Sequence, residues 1–372
     1  MNILSGGSVV IDSELHHDLA IVFDAKIRSV MSIKDAVRLD ARQIPFTGTL
    51  LPGFIDIHIH GAAGADTMDA TFEALDTIAR AISRAGTTSF LATTMTMSEE
   101  SIINSLENVR SFMKRQSAGA QCLGIHLEGP FINPKYKGAH LEKYIQPPTR
   151  RWIDPFLDII KLITLAPEMD PDHQFIKELS DQVVLSLGHS AATYEEAVES
   201  FRSGVRHVSH CFNAMSGMHH RRPGAVGAAL NQPVSLDLIT DLLHVHPDLF
   251  SLVIRQKGPE KTIAITDSMR AAFLEEGTYD LGGQKVVVKE NTCRLPDGTL
   301  AGSVHRMDRA LTHLIRHTNC SLPELSQIMS TSAAKLLGID HFKGHINEGY
   351  DADMVIFDDQ RVTDVYVGGK KQ

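Results

Sequence analysis

Cysteine is scarce in this chain of 372 residues. The four that it has, Cys122, Cys211, Cys293 and Cys320, lie far apart and form no Cys-x-x-Cys pair. That spacing argues against a zinc knuckle and a disulfide scaffold, and it favours reduced thiols. The N-terminus also lacks the basic and then apolar pattern of a signal peptide, so we expect a cytoplasmic location.

Long apolar runs and basic stripes are absent as well. No apolar run is long enough to span a bilayer, so we expect no membrane partner. The net charge is −9, with acidic and basic residues mixed along the chain, and we therefore expect no nucleic-acid partner. An anionic substrate would need local arginine, lysine or backbone N–H groups to hold it.

Several common catalytic and nucleotide-binding motifs are missing too. No Gly-x-Ser-x-Gly elbow occurs, and no cysteine lies beside a matching histidine signature. Gly61 and Gly64 are not followed by the Gly-Lys-Ser/Thr of a phosphate-binding loop. The sequence therefore supports neither a serine or cysteine nucleophile nor a nucleotide site.

Histidine, in contrast, is abundant, with 19 residues, many of them at the ends of short apolar runs. Histidine is a common metal ligand and the usual proton carrier near neutral pH. The excess therefore directs attention to where these apolar runs end.

The middle of the chain alternates short apolar runs with amphipathic stretches. Eight strands alternating with helices predict a (β/α)8 TIM-like barrel, with an open doubly wound sheet as the alternative because strand count alone does not prove closure. The predicted strands are Phe54–Ile59, Ser89–Thr93, Leu123–Leu127, Ile160–Leu165, Val183–Leu187, His207–Cys211, Val234–Ile239 and Thr262–Ile265. Predicted helices include Phe72–Ala85, Glu99–Arg115, Tyr194–Ser203 and Pro247–Gln256.

The two ends of the chain differ from the middle and predict antiparallel strands. We expect them to form one small β-sandwich domain of residues 1–50 plus 344–372, beside a barrel domain of residues 51–343. A further hairpin is predicted at 278–302, where Asp297-Gly298 supplies a turn. The predicted end strands are Ser8–Ile11, Leu19–Phe23, Met354–Phe357 and Val365–Val367.

Six of the eight predicted strand ends carry a residue that can bind a metal or move a proton. In a parallel barrel, the loops after the carboxyl ends of the strands form the active site. The sequence therefore predicts that these residues meet at one rim. They are His58 and His60 at the first strand, Glu128 at the third, His189 at the fifth, His210 at the sixth, His244 after the seventh and Asp267 after the eighth.

The His58-x-His60 pair predicts two imidazoles on one face of a strand, because strand side chains alternate with period two. Two neutral imidazoles that face one cavity can share a divalent cation. With Glu128, His189 and His210 they make a donor set suited to Zn²⁺ or Fe²⁺.

Asp267, in Ile265-Thr266-Asp267-Ser268, is the candidate proton carrier. A carboxylate beside a metal can accept a proton from water and pass it to a leaving nitrogen. The alternative for Asp267 is a cap of the next helix. His126, two residues before Glu128, is either a further ligand or a packed core histidine.

Longer motifs carry a resemblance to a known family. Leu51–Asp56 followed by His58 and His60 resembles the opening of amidohydrolase-superfamily enzymes. The resemblance narrows to the N-acetylglucosamine-6-phosphate deacetylases and runs from about residue 48 to Gly349–Val355, covering most of the chain. The motifs that narrow it are Gly61–Asp69, His126–Asn133, Lys137–His140, Gly188–Thr193, Ser209–Met215, His220–Gly224 and Leu300–Ser303.

This resemblance implies a barrel with a small β domain, usually as a homodimer. It implies that Glu128, His189 and His210 bind a metal and that Asp267 is the acid and base. Some members of the family hold a second metal through the pair that matches His58 and His60. One or two divalent ions, Zn²⁺ or Fe²⁺, are therefore expected.

The resemblance also implies the substrate, N-acetylglucosamine 6-phosphate, which would yield glucosamine 6-phosphate and acetate. Arg221 matches an arginine that binds phosphate and comes from the neighbouring subunit in dimers. His244 matches a histidine that contacts the sugar. The other implied substrate contacts are Ala139, Asn213, Ala214, Leu300, Ala301 and Gly302.

Two departures from the family pattern leave the exact hexosamine open. Asp241 is followed by Leu242-Leu243 where the family commonly has Asp-Gly, and His305-Arg306 stands where it tends towards Leu-Thr. N-acetylgalactosamine 6-phosphate is therefore the alternative substrate. A cyclic-amide hydrolase of the dihydroorotase kind is disfavoured because no strand-four lysine is evident, and an inactive barrel scaffold is disfavoured by the intact ligand positions.

Overall fold

A computed structural model describes residues 1–116 and 118–372, and its central feature is a sheet of eight parallel strands. Each strand pairs with the next one along the chain. After the last strand the chain returns to the first, where the N–H of Asp267 donates to the carbonyl of His58 and the N–H of His60 to that of Ser268, both over 2.9 Å. The sheet is closed into a barrel, so the open-sheet alternative is wrong.

All eight predicted barrel strands are present, with boundaries that shift by a few residues. The largest change is in the sixth, which is only two residues long before the chain turns. The barrel strands are Phe54–Ile59, Thr87–Thr93, Gln121–Glu128, Ile160–Leu165, Val184–Leu187, His207–Val208, Ser235–Ile239 and Thr262–Ile265.

Helices pack around the barrel through one apolar face. Leu75 and Ile78 of one helix, and Val109 and Phe112 of the next, are buried in the largest apolar core. The helices of the described residues are Phe72–Ser83, Glu99–Arg115, Gln174–Leu179, Tyr194–Ser203, Gly224–Asn231, Phe250–Lys257, Met307–His317, Leu322–Ser326 and Ser332–Leu336, with a π-helical turn at Gln327–Thr331. A further short helix, Ile33–Ala36, packs on the strand Leu19–Phe23 near the N-terminus.

Short polar side chains fix where several of these helices begin. The hydroxyls of Thr71, Ser98 and Thr193 each accept a hydrogen bond from a backbone N–H in the first turn, and Glu196 completes a capping box with Thr193. Among the described residues, no helix combines the length and apolar character that a bilayer crossing needs.

The two ends of the chain meet in one six-stranded sheet. Thr49–Pro52 lies in it between Ser8–Ile11, its parallel neighbour, and Met354–Asp358, its antiparallel neighbour. The other strands of this sheet are Glu14–His16, Arg361–Val367 and Lys370–Lys371, and a four-stranded sheet contains Ile27–Ser32, Leu19–Phe23, Asn2–Ser5 and Arg42–Pro45.

Side chains from these two sheets share one apolar core. Leu4 and Ile21 of the four-stranded sheet are buried in it together with Leu50 and Ile356 of the six-stranded sheet. The arrangement is that of a small sandwich built from both chain ends. The division into residues 1–50 plus 344–372 and residues 51–343 stays a prediction.

A third small sheet lies where the hairpin is predicted, with strands Gly277–Leu281, Gln284–Lys289 and Thr292–Arg294. The turns between its strands are at Gly282-Gly283 and Glu290-Asn291. The predicted turn at Asp297-Gly298 comes after the third strand and leads to Leu300, which forms an antiparallel bridge with Arg294 at the end of that strand. The amide of Gln284 donates to the carbonyl of Ala139, which ties this sheet to the rim of the barrel.

Candidate active site

Six side chains converge at the carboxyl-terminal rim of the barrel, all of them buried. They are His58, His60, Glu128, His189, His210 and Asp267. Oε1 of Glu128 lies 3.2 Å from Nε2 of both His58 and His189, and 3.1 Å from Nε2 of His210. The structure therefore brings together residues from four barrel strands around one carboxylate.

The second carboxylate, Asp267, lies beside the first. Nε2 of His60 is 3.2 Å from Oε2 of Glu128 and 3.3 Å from Oδ1 of Asp267. Nε2 of His58 is 3.6 Å from the same Asp267 oxygen. Asp267 is thus part of the cluster, and it does not cap a helix.

Backbone carbonyls determine which nitrogen carries the proton in two of the histidines. Nδ1 of His189 lies 2.9 Å from the carbonyl oxygen of Tyr136, and Nδ1 of His210 lies 3.2 Å from that of Asn213. A carbonyl only accepts, so in each neutral ring Nδ1 carries the proton and Nε2 keeps a lone pair. The two Nε2 atoms lie 3.1 Å apart and both face Glu128. A divalent cation satisfies three such electron-pair donors at once, so these residues fit a metal.

His58 and His60 offer further donors. Both ring nitrogens of His58 and Nδ1 of His60 are buried and form no hydrogen bond of suitable geometry among the described residues, although Nε2 of His58 lies close to Glu128. His58 and His60 form a group with Asp267 whose ligand atoms lie within 4.8 Å of one another, beside the group of His58, Glu128 and His210. The donor set is therefore large enough for a second cation.

The carboxylates and imidazoles of the cluster shift one another's pKa values. Burial opposes the protonated form of His58, but the carboxylates of Glu128 and Asp267 outweigh burial and raise the pKa of His58 well above its usual value. In the same way burial is outweighed by contacts with Asp267 and Glu128, which raise the pKa of His60 to about 9. Burial and then the proximity of His140 lower the pKa of His189, which keeps that ring neutral.

Three residues of the cluster have left-handed backbone conformations, with φ of 49° at His189, 32° at His210 and 47° at Asp267. Such conformations cost on the order of 1–3 kcal/mol each for a residue other than glycine. Two backbone hydrogen bonds hold the left-handed conformation of Asp267. Its N–H donates to the carbonyl of His58, and its carbonyl accepts from the N–H of Ser303 over 2.8 Å. The rim therefore fixes these side chains at a conformational cost.

A cavity of about 480 Å³ opens over the cluster, a size that suits a small-molecule ligand. Its walls include the predicted contacts Ala139, Asn213, Ala214, His244, Leu300 and Gly302. Ala301, between the last two, is buried, and its N–H donates to the carbonyl of Cys293 over 3.0 Å.

His244 is held firmly in the wall of this cavity. Its Nδ1 donates to Oδ2 of Asp241 over 2.7 Å, while Oδ1 of Asp241 accepts from the backbone N–H groups of Leu243 and His244, each over 2.9 Å. Burial opposes the charged ring, but Asp241 outweighs it and raises the pKa of His244. Nε2 of His244 has no hydrogen-bond partner among the described residues, which leaves it available to a ligand.

Arg221 is not brought to this cavity by its own chain. It is exposed, and its Nη1 lies 2.7 Å from Nε2 of the neighbouring His220. Met218, on the same segment, is 59% exposed. This segment is thus a surface feature of the single chain.

His140 is a site residue that the predictions missed. Its Nδ1 accepts a hydrogen bond from the N–H of Thr96 over 3.1 Å, so Nε2 carries the proton and lies 3.4 Å from Oε2 of Glu128. The motif Lys137–His140 contains it, but the resemblance implies a role only for Ala139 there. Lys135 and Lys137 also line the cavity.

His126 is a packed core histidine. Nδ1 lies 3.1 Å from the carbonyl oxygen of Ile57, and Nε2 lies 2.7 Å from the hydroxyl of Thr164. Burial lowers the pKa of His126 well below its usual value, so the ring is neutral. Because protein groups contact both ring nitrogens, the geometry disfavours His126 as a further metal ligand.

Known proteins with similar sequences and structures point in one direction. The model of the amidohydrolase family matches residues 49–371. An N-acetylglucosamine-6-phosphate deacetylase of Bacillus subtilis (strain 168) is 44% identical over 323 residues, 84% of this chain and 82% of that protein. An N-acetylgalactosamine-6-phosphate deacetylase of Escherichia coli O157:H7 is 35% identical over 340 residues, 88% and 90% of the two chains. The crystal structure of N-acetylglucosamine-6-phosphate deacetylase from Pasteurella multocida matches with a TM-score of 0.95 and 28% identity, covering 100% of this chain and 99% of that one.

Proposed function

The chain belongs to the amidohydrolase family, and on that premise we propose that it is a metal-dependent enzyme that deacetylates N-acetylglucosamine 6-phosphate to glucosamine 6-phosphate and acetate. One observation carries the proposal. The Nε2 lone pairs of His189 and His210 meet Oε1 of Glu128 at the floor of a cavity of ligand size.

Glu128, His189 and His210 would hold one cation, and His58 and His60 would hold a second. Nitrogen and carboxylate donors of this kind suit Zn²⁺ or Fe²⁺. When bound, such a cation polarises the acetamide carbonyl and makes a nearby water more acidic. The protein's part is to fix the ligands, and the Tyr136 and Asn213 carbonyls do so at the two Nδ1 atoms.

Asp267 would move the proton. Burial favours its neutral form, but His58 and His60 outweigh burial and lower the pKa of Asp267, so the carboxylate is ionised and able to act as a base. It lines the cavity at the edge of the cluster. Asp267 would accept a proton from the attacking water and deliver it to the departing amine nitrogen.

Two histidines would bind the oxygen on which charge develops. Nε2–H of His140 lies beside Glu128, and Nε2 of His244 is available in the wall of the same cavity, with its ring oriented by Asp241. Hydrogen-bond donors placed in advance stabilise such an oxygen more than the starting carbonyl.

The sugar would contact Ala139, Asn213, Ala214 and the segment Leu300, Ala301 and Gly302. Arg221 of a neighbouring subunit would bind the phosphate, which implies a homodimer. The exposure of Arg221 and Met218, on a segment away from their own cavity, supports an interface there. A cytoplasmic location, which the four free thiols support, completes the proposal.

N-acetylgalactosamine 6-phosphate is the second candidate substrate. The 35% identical deacetylase of that sugar phosphate favours it, as do Leu242 and Leu243 in the turn that carries His244. The higher identity to the N-acetylglucosamine-6-phosphate enzyme supports the first candidate.

Acetate release from both N-acetylhexosamine 6-phosphates and from unphosphorylated N-acetylglucosamine tests the proposal, with metal content measured on the same preparation. We expect fastest release from N-acetylglucosamine 6-phosphate and one or two ions per chain. Faster release from the galactose epimer would exchange the two candidates. A metal-loaded protein that releases no acetate from any of them would overturn the function, and an inactive scaffold would then be favoured.

A further inference from the structure

A second cavity, of about 410 Å³, lies on the other side of the turn that carries His244. Asp241 and Leu242 form one wall, and the helix Met307–His317 forms another. Both segments that depart from the family pattern, 242–243 and 305–306, contribute a residue to this cavity, namely Leu242 and His305.

The lining of this second cavity is basic. Arg309, His313 and Arg316 come from one face of the helix, because residues three or four apart stack along it. Neither arginine has a carboxylate within 4.0 Å among the described residues, whereas Arg306 at the start of the helix pairs with Asp308 over 2.5 Å. Two arginines therefore line the cavity without an ion-pair partner among the described residues.

His305 is a buried donor or acceptor in the same wall, with only 4% of its surface exposed. Its Nε2 lies 3.1 Å from the hydroxyl of Thr240, and its Nδ1 has no hydrogen-bond partner in the part of the chain that the structure describes. Burial first, and then His313 and Arg309, lower the pKa of His305 to about 3, although Asp241 acts in the opposite direction. Burial therefore keeps this ring neutral, while Asp241 and the basic groups act on it in opposite directions.

Asp241 is the acid of this lining, and its oxygens are already engaged. Oδ1 accepts from two backbone N–H groups and Oδ2 accepts from Nδ1 of His244. It therefore cannot turn to pair with Arg309 or Arg316 without releasing His244.

We propose that this second cavity binds the dianionic phosphate group of a small molecule, and that its occupancy is felt at His244 through the shared carboxylate of Asp241. Arg309 and Arg316 would supply charge-assisted hydrogen bonds, which are the strong ones for phosphate. Free phosphate and a sugar phosphate share this chemistry. The binding does not depend on the proposed function, whereas the effect on turnover rests on it.

The test is to titrate the metal-loaded full chain with inorganic phosphate and, separately, with glucosamine 6-phosphate by calorimetry. Arg309→Ala/Arg316→Ala removes both guanidinium groups from exposed positions, and Arg84→Ala removes an exposed arginine elsewhere as the matched control. Arg221→Ala, in contrast, addresses the proposed phosphate contact of the active site. We expect two classes of phosphate site in the wild type and the control, one of which is weakened at least tenfold in the double variant.

Each outcome decides a separate part of the proposal. Identical titrations of the wild type and the double variant, with both probes, would overturn the second site. Binding of the sugar phosphate at the class that the double variant loses identifies a phosphate ester as occupant, whereas binding of inorganic phosphate alone identifies free phosphate. Purely competitive inhibition of deacetylation by phosphate in the wild type would overturn the coupling to His244, and a non-competitive component that the double variant lacks supports it.

Discussion

Nδ1 of His58 lies 3.7 Å from Oδ2 of Asp237 inside the barrel, and neither atom has a hydrogen-bond partner among the described residues. The other oxygen of Asp237 accepts from Nε2 of His207 over 2.8 Å, and Nδ1 of His207 lies 2.7 Å from the hydroxyl of Ser235. Burial favours a neutral Asp237, but His207 and His58 outweigh it and lower the pKa of Asp237. The carboxylate is therefore ionised and held with one oxygen towards His58.

Asp237→Asn should weaken metal binding without unfolding the barrel. A carboxylate behind a ligating histidine orients the ring and raises its basicity, and losing one typically costs 10–100-fold in metal affinity. Titration of the metal-free protein with Zn²⁺, together with metal analysis, measures the change. Ser105→Ala is the control, because it removes a buried hydroxyl that donates to the carbonyl of Thr67, outside the donor set. Equal Zn²⁺ affinity in wild type and Asp237→Asn would show that Asp237 does not support His58.

Asp267→Asn should retain metal but lose turnover. The amide keeps the size of the carboxylate and cannot accept the proton of the attacking water, so we expect kcat to fall by at least ~100-fold. Metal content measured beside kcat separates a lost base from a lost ligand. Near-normal turnover would remove Asp267 from the mechanism, and loss of metal would make it a ligand.

The rim residues could be predicted because they follow directly from the strands. His58 and His60 alternate along a strand, and Glu128 ends one, so the period of two and the direction of the chain place them. The closure of the barrel, in contrast, depends on the contact between Asp267 and His58, which are 209 positions apart in the sequence. The number of strands alone does not predict that contact.

Other site residues could not be predicted, for physical reasons. His140 reaches Glu128 only because the loop after the third barrel strand folds back over the rim, where Thr96 orients its ring. Asp237 lies within an apolar strand, and only the packed barrel shows that it faces His58. Arg221 remains outside the cavity of its own chain, so its proposed role would depend on an assembly that one chain does not contain.

Metal binding should release protons and tighten as pH rises towards about 9. In the metal-free protein the pKa of His60 is raised to about 9, so its ring is protonated near neutral pH, whereas a cation requires the neutral ring. Raising the pH therefore removes the competing proton. Calorimetric titration with Zn²⁺ in two buffers of different ionisation enthalpy counts the protons released, and His60→Asn should release fewer. Heats that are the same in both buffers would contradict the prediction.

Lys343→Met should destabilise the protein strongly, because it leaves two acidic groups without their buried partner. Nζ of Lys343 lies 2.5 Å from Oδ2 of Asp353 and 2.8 Å from Oδ2 of Asp351, and the lysine side chain is 1% exposed. Breaking a buried pair of this kind costs about 3–5 kcal/mol of unfolding free energy. Urea unfolding measures it, and Lys335→Met, exposed nearby on the helix Ser332–Leu336, should change it by less than about 0.5 kcal/mol.

The pH dependence of that difference provides a stricter test of the same ion pair. Burial lowers the pKa of Lys343, but Asp353 and Asp351 outweigh burial and raise it. The contribution of Lys343 to stability is therefore complete below the ordinary lysine pKa of about 10.4 and is lost as the pH rises above the raised pKa. The pKa of Asp351 is lowered, against burial, chiefly by Lys343, so its contribution is complete above about 3.9 and is lost as the pH falls. The difference between wild type and Lys343→Met should therefore be constant from about pH 5 to 9 and shrink below about pH 4. A difference that persists unchanged at pH 3 would mean that Lys343 stabilises the fold through packing of its side chain rather than through its charge.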